Sequence, residues 1–487
     1  MNYVEKKVSV KVALLNILII IVSVGLGTGL YKIPLDMAFT LAITLITLVV
    51  IKTNGYSAKE ILDLFFAGAG KSVGIMILMM AIGAVIGSWL ISGIVPTFIY
   101  YGLKFISPTY FLVSGFLLLC VMSFFIGSSY ATAGTVGVAL MGMGYGMGFD
   151  PAVTAGMVLS GSVFGNKISP FAETTNLCIA VTGVDLMDHI KSMLYSVVPI
   201  FLLSAVIYTY MGFSYAHGSV VDQSNIDLIT GTMAKNFTIN PFLLIVPILT
   251  VVLIVKRTPP VIALLLATLA GALAGVIFQP HYDVKAIFNA ISKGFLIKSG
   301  VPQVDQLLNR GGIASFMGIV ENIFFLMGVS HILQKTGTVE AILSKANYLI
   351  RGSKSLIITN LFTGLLVDCV TGSQYLAIIL PGELFKPMYQ KYQIQLRVLT
   401  RTLEDSGTIF AFLIPWSLNA IGIGAIIGMP VSEFYIYAYQ LWFSPIIAIF
   451  FALTGIAVWK EKGNGAGDGV QGNLEVMPQA VLETSNK

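Results

Sequence analysis

The chain has 487 residues, of which 56% are hydrophobic and only 10% charged, and its mean hydropathy is +0.87. Soluble globules carry about 25% charged residues, so a water-soluble fold is excluded and a membrane protein indicated. The formal charge of +5 contains no like-charge block suited to nucleic acid and fits a protein with positive cytoplasmic loops.

The first apolar run, about 12–30, follows Lys6, Lys7 and Lys11 as a signal peptide would. It has no clear small-residue cleavage site and a second run follows at 34–52, so a retained first helix is expected. Further runs lie near 72–93, 109–126, 190–212, 241–256, 259–279, 313–333, 355–371 and 434–458, with less regular ones between. Each approaches the roughly 20 residues that span a bilayer, so the expectation is an all-α polytopic membrane protein with about 11 to 14 crossings. Cys120, Cys178 and Cys369 fall in or beside these runs and read as small buried hydrophobes, not as a disulfide framework.

A polar stretch at 214–240 divides the membrane part into halves, 1–213 and 241–460, and reads as a connecting loop. The tail 461–487 is Gly-rich and polar and is expected to be disordered. The halves share an order of events at a spacing of 245 residues. Gly83 pairs with Gly328, Gly127-Ser128 with Gly372-Ser373, Tyr130 with Tyr375, Gly137 with Gly382, Pro170 with Pro415, and Gly183 with Gly428. Upstream the spacing is 226 (Lys59 with Lys285, Gly68 with Gly294), as one insertion near 295–312 would produce. Duplicated halves with helices broken at corresponding places mark secondary transporters. The repeats are inverted if each half crosses an odd number of times.

The paired breaks are the chemically distinctive segments. GNKISPFAETTN (165–176) and RTLEDSGTIFAFLIPWSLN (401–419) each hold a proline inside an apolar context. Proline removes a backbone donor and clashes with the preceding turn; in hydrocarbon such a break survives only when packed in protein or facing a wet cavity. Both segments therefore read as re-entrant or unwound pieces meeting inside the protein. Their oxygens suit a small hard cation, as in other oxygen-ligated sites. The first offers Ser169, Glu173, Thr174, Thr175 and Asn176. The second offers Glu404, Asp405, Ser406, Thr408, Ser417 and Asn419. Asp368, with Thr371 and Ser373 following, lies within an apolar run and is a functional candidate for that reason. A carboxylate that either sodium or a proton can neutralise yields exchange when its exposure alternates. Glu173, Thr174, Asn176 and Asp405 form the proposed sodium set.

Structural alternatives exist for each group. The hydroxyls can satisfy local carbonyls, and Glu404 or Asp405 can neutralise Arg401 or Arg397. Lys167 can pair with Glu173, anchor an anionic substrate or reach toward an interface. The four histidines have no metal-ligand spacing, and the glycines of MGMGYGMGF (141–149) suit close helix packing. No Walker motif is present.

The run FGNKISPFAETTNLCIAVTGVD resembles the signature of the NhaC-type sodium/proton antiporters, in which Gly-Asp-Lys-x-Ser-Pro-x-Ser-Asp-Thr-Thr-Asn precedes Thr-Gly-Val-Asp. Residues 165–185 carry the match, and Lys167, Ser169, Pro170, Thr174, Thr175 and Asn176 stand as in that pattern. Asn166 replaces an acid and Ala172-Glu173 replaces Ser-Asp. The resemblance implies an ion-transporter fold with two inverted repeats, broken helices and an elevator-like transport domain in a bacterial cytoplasmic membrane. It also implies a family that includes malate/lactate-type and amino-acid exchangers.

Sodium/proton antiport, with lithium or potassium as other cations, is the leading expectation. A sodium- or proton-coupled carrier of a small carboxylate or amino acid is the alternative. An intramembrane aspartyl protease using Asp150 and Asp368 lacks the expected Gly-x-Gly-Asp and Tyr-Asp contexts, and no other enzymatic motif stands out. The expected partners are the lipid bilayer, monovalent cations and protons, with a small organic anion or amino acid and a second copy in a homodimer as further candidates. Nucleic acid is not expected, nor any cofactor beyond the transported ions.

Overall fold

A computed structural model describes residues 8–31, 33–218 and 223–461, which places the tail from 462 onward outside the described residues. These residues are helical, and the single isolated bridge among them joins Ile394 to Lys460. Seven described helices are long and apolar enough to cross a membrane: Leu35–Asn54, Val73–Ile91, Pro108–Ile126, Leu186–Tyr215, Pro260–Phe278, Ile313–Lys335 and Ser353–Thr371. Three helix pairs bent at short breaks bring the count up to 10. That is below the 11 to 14 expected. The difference arises because residues counted as further crossings fall in short or polar helices such as Pro151–Ile168, which ends in Asn166 and Lys167.

The outer helices show why lipid surrounds them. Leu35–Asn54 buries Ala38, Phe39, Ala42, Ile46 and Val50 on one face while exposing Met37, Leu41, Leu45 and Leu48 on the other. A helix apolar on all sides has no wet face. Val73–Ile91 lies deeper and is buried along nearly all of its second half.

The connector is more ordered than its polarity suggests. Leu186–Gly218 runs into it, and Gln223–Asn236 is a further helix. Ile226, Ile229 and Met233 are buried at helical spacing, so one apolar stripe is enough to hold it against the protein. The 214–240 segment is thus helical over much of its length, with 219–222 outside the described residues.

Helix boundaries recur at the spacing read from the sequence. Pro108–Ile126 and Ser353–Thr371 are offset by 245 residues at both ends, as are Pro151–Ile168 with Leu396–Leu413 and Glu173–Thr182 with Leu418–Ile427. Upstream, Ala58–Gly70 and Val284–Lys293 begin 226 apart, capped by Ser57 and Asp283. These caps accept backbone N–H bonds that would otherwise be orphaned at a helix start.

Candidate functional site

Four interruptions of the backbone build the site. Two are helix–helix turns. Pro108–Ile126 ends at Gly127 and Ser353–Thr371 at Gly372, with φ of 69° and 61°. Glycine adopts this left-handed closure without the Cβ penalty other residues meet. Each turn leads through a serine, Ser128 or Ser373, into the next helix.

The other two are the proline breaks. Residues before proline are pushed out of helical conformation, so Pro151–Ile168 stops at Ser169 ahead of Pro170, and Leu396–Leu413 stops at Ile414 ahead of Pro415. A break in apolar surroundings leaves carbonyls in need of donors, and the side chains beyond each break supply them. Thr174 and Thr175 both donate to the Asn166 carbonyl at 3.0 and 2.9 Å. In the second half Ser417 donates to the carbonyl of Ala411, which lies 245 positions after Asn166. Ser169 accepts from Phe171 N at 3.2 Å, and Asn176 donates to the carbonyls of Pro170 and Ala172. Ser169, Thr175 and Asn176 therefore hold the break in shape. Ser406 and Thr371 donate to carbonyls within their own helices.

The four interruptions converge on a cavity of about 30 Å³, lined among others by Ser129, Tyr130, Asn166, Glu173, Thr174, Gln374, Tyr375 and Asn419. Each of the four thus contributes to one small polar space. Glu173 accepts from the Tyr375 hydroxyl at 2.6 Å, and it is the one acid of the lining. Asn419 donates to Gln374 Oε1 at 2.9 Å, and among the described residues Asn419 Oδ1 is buried without a donor and Ser129 Oγ without a partner. Buried polar atoms are nearly always paired. Oxygens left open around a cavity of this size are what a bare cation would satisfy.

Asp405 is elsewhere. Its Oδ1 lies 2.5 Å from Lys167 Nζ, with both side chains fully buried. Ser444 bonds both members of the pair, and Ser196 reaches Asp405 at 3.5 Å. Lys167 thus pairs with Asp405, not with Glu173. Arg401 and Arg397 make no ion pair with either acid; Arg401 donates to the Ala457 carbonyl, and both guanidinium groups rest on Trp459. The sodium set read from the sequence therefore divides. Glu173 and Thr174 line the cavity, Asn176 braces the break beside it, and Asp405 is committed to an internal base.

Glu404 and Asp405 share a π-helical turn, Glu404–Thr408, a distortion that often occurs at functional positions. Glu404 is buried with no hydrogen bond to either oxygen, and the hydroxyls of Thr174 and Thr408 and the Lys167 ammonium surround it. The Thr408 hydroxyl is likewise buried without a geometric hydrogen bond. Asp368 is fully buried, and neither of its oxygens meets a donor among the described residues. His189 packs against this region through Thr400. Among the described residues, no cluster of three or more His, Cys, Asp or Glu has metal-site geometry.

The sequence reading omitted Asn166, Ser129, Tyr130, Gln374 and Tyr375 from the site. The available signal was the Gly-Ser-x-Tyr pair at 127–130 and 372–375. That pair served as evidence of duplication, yet it also marks two turns inside the cavity wall.

Comparison with known proteins gives a consistent setting. Residues 162–456, which include both proline breaks, match the Na+/H+ antiporter family, and residues 2–214 match the C4-dicarboxylate anaerobic carrier family. The chain is 33% identical over 395 residues to the Na(+)/H(+) antiporter NhaC of Alkalihalophilus pseudofirmus, covering 81% of this chain and 85% of that one. It is 30% identical over 410 residues to the malate-2H(+)/Na(+)-lactate antiporter of Bacillus subtilis, covering 84% and 87%. It is 28% identical over 457 residues to the arginine/ornithine antiporter ArcD of Halobacterium salinarum, covering 94% and 93%.

Proposed function

This chain belongs to the Na+/H+ antiporter family, and we propose that it exchanges sodium for protons across the cytoplasmic membrane, with Glu173 as the carboxylate the two cargos neutralise in turn. The observation that carries this reading is the oxygen-lined cavity of about 30 Å³ at the meeting of four backbone breaks. A water needs roughly 10–15 Å³ of such space, so the cavity has room for a small ion and excludes an organic acid. Sodium is a hard cation that favours oxygen donors, and Glu173, Thr174 and the open oxygens of Asn419 and Ser129 supply them.

Charge compensation separates the acids. Lys167 already balances Asp405, whereas Glu173 pairs only with a neutral phenol. An uncompensated carboxylate is costly to carry through a low-dielectric barrier. Either a sodium ion or a proton removes that cost, and one excludes the other. A site that reorients only when neutralised then exchanges the two without a further cofactor. The matching helix boundaries support two repeats, 1–213 and 241–460, and in this proposal the two are inverted across the membrane. On this reading the four breaks move together, elevator-like, against the outer helices.

The test is a reconstituted vesicle with an imposed pH gradient and a pH-sensitive dye. Sodium alone is expected to dissipate the gradient. Glu173→Gln, which keeps the shape but not the charge, is expected to reduce that response by tenfold or more, roughly the worth of one charged contact. A wild-type protein indifferent to sodium would overturn the proposal.

A second reading, that the chain also carries a small carboxylate, is favoured by one observation. A larger space with a single base opens beside Glu173. The names of the Bacillus and Halobacterium relatives agree with it.

A further inference from the structure

The space beside Glu173 is a vestibule of about 510 Å³, whose walls include Ser128, Phe171, Glu173, Asn176, Arg257 and Thr258. Among all the residues that line it, Arg257 is the one base and Glu173 the one acid. The two make no ion pair with each other, and Arg257 pairs with no carboxylate among the described residues.

The local backbone makes Arg257 conspicuous. It follows the helix Ile245–Val255 in a closing turn, with Arg257 N bonded to the Ile254 carbonyl at 2.9 Å and Thr258 N to the Leu253 carbonyl at 3.1 Å. That motif places its penultimate residue in the left-handed region and normally uses glycine. Here arginine occupies it with φ of 65°. A strained backbone held by an exposed residue calls for a functional account. The guanidinium rests over the Phe171 ring, 5.5 Å from its centroid. A guanidinium held over a ring keeps its N–H groups available for a carboxylate fork.

Placement adds an electrostatic argument. A bare guanidinium in the vestibule that Glu173 also lines repels a cation arriving there, since both carry positive charge. A carboxylate bound at Arg257 removes that repulsion. Phe171 belongs to the first proline break, so the same contact joins the mouth to the element that carries Glu173.

We propose that Arg257 binds the carboxylate of a small organic acid or amino acid in this vestibule, next to the cation cavity. This inference deepens the second reading above and rests on it. Malate, lactate and alanine share the recognised group and differ in their second charge.

The experiment is thermal unfolding of the purified full chain in detergent, titrated separately with malate, lactate, alanine and chloride. At least one carboxylate is expected to raise the wild-type melting temperature saturably, with chloride inert. Arg257→Gln is expected to weaken that binding by about tenfold or more, and Arg257→Lys, which keeps the charge but loses the fork, to fall between. Should the glutamine variant fail to fold, the lysine variant alone decides, and an unchanged affinity there counts against the proposal. No carboxylate effect on the wild type, or an equal effect on Arg257→Gln, would overturn it. A carboxylate effect that persists undiminished in Arg257→Gln leaves the second reading standing and removes Arg257 from it, whereas no carboxylate effect on the wild type removes both, so the two failures are told apart.

Discussion

The first and second halves place breaks at the same positions but fill them with different chemistry. Position 160 is Ser160 in the first half and Asp405 in the second; Ser123 corresponds to Asp368, Leu159 to Glu404, Phe412 to Lys167, and Leu418 to Glu173. At two of these positions the first half's hydroxyls are satisfied. Ser160 accepts from the Tyr208 hydroxyl at 2.8 Å, and Ser123 donates to the Ser162 carbonyl at 2.6 Å while accepting from Gly165 N at 2.8 Å. In the second half Asp405 needs a lysine from the opposite half, and neither oxygen of Asp368 meets a donor among the described residues. Backbone architecture repeats, and charge does not. The halves are therefore unequal: the buried acids, Asp368, Glu404 and Asp405, lie in the second, whereas the acid of the cavity, Glu173, comes from the first.

The largest break in that comparison is at Lys167. Replacing it with methionine strands Asp405 in a buried site, and removing one member of a buried pair costs about 3–5 kcal/mol. Reversible unfolding in detergent measures it. The double variant Lys167→Met, Asp405→Leu removes both charges and is expected to recover most of the loss. If the single variant is as stable as the wild type, the two groups do not compensate each other.

A smaller effect distinguishes the two turn glycines. Both have positive φ, so alanine is strained at either, by about 1–2 kcal/mol. A Cβ at Gly127 would lie 2.7 Å from the backbone carbon of Phe171, whereas at Gly372 it would meet the tip of the Leu326 side chain. Side-chain tips move and backbone does not. Gly127→Ala is expected to cost about 3 kcal/mol and Gly372→Ala about 1. Equal losses would mean that the first turn does not press on the proline break.

The repeated backbone was legible in the sequence. The prolines, the Gly-Ser-x-Tyr pairs and the 245-residue spacing are local signals of backbone conformation, and the boundaries Pro108–Ile126 and Ser353–Thr371 follow them closely. The run from Gly165 to Asp185 also identified the family. Pairing was not legible. Lys167 and Asp405 are 238 residues apart, and nothing along the chain distinguishes that partner from Glu173, which is only six positions from the lysine. The connector misled for a related reason: its polar residues outnumber the three apolar ones that anchor Gln223–Asn236. Tyr130 and Tyr375 read only as repeat markers, because a tyrosine in an apolar run reads as packing until its neighbours are known.

The finest test of the comparison uses Ser123 and Asp368, which occupy equivalent positions with opposite accounts. Ser123→Ala breaks two good hydrogen bonds and is expected to destabilise by about 1 kcal/mol. Asp368→Leu removes a buried group that meets no donor and is expected to stabilise by about 1–2 kcal/mol, since replacing an unsatisfied polar group with an apolar one of similar size relieves its desolvation. A polar group kept inside a membrane protein against stability is retained for work, so the same leucine variant is expected to lose sodium-driven exchange while melting at a higher temperature. If Asp368→Leu instead melts lower, the carboxylate has a stabilising partner, and the second half is no less satisfied than the first.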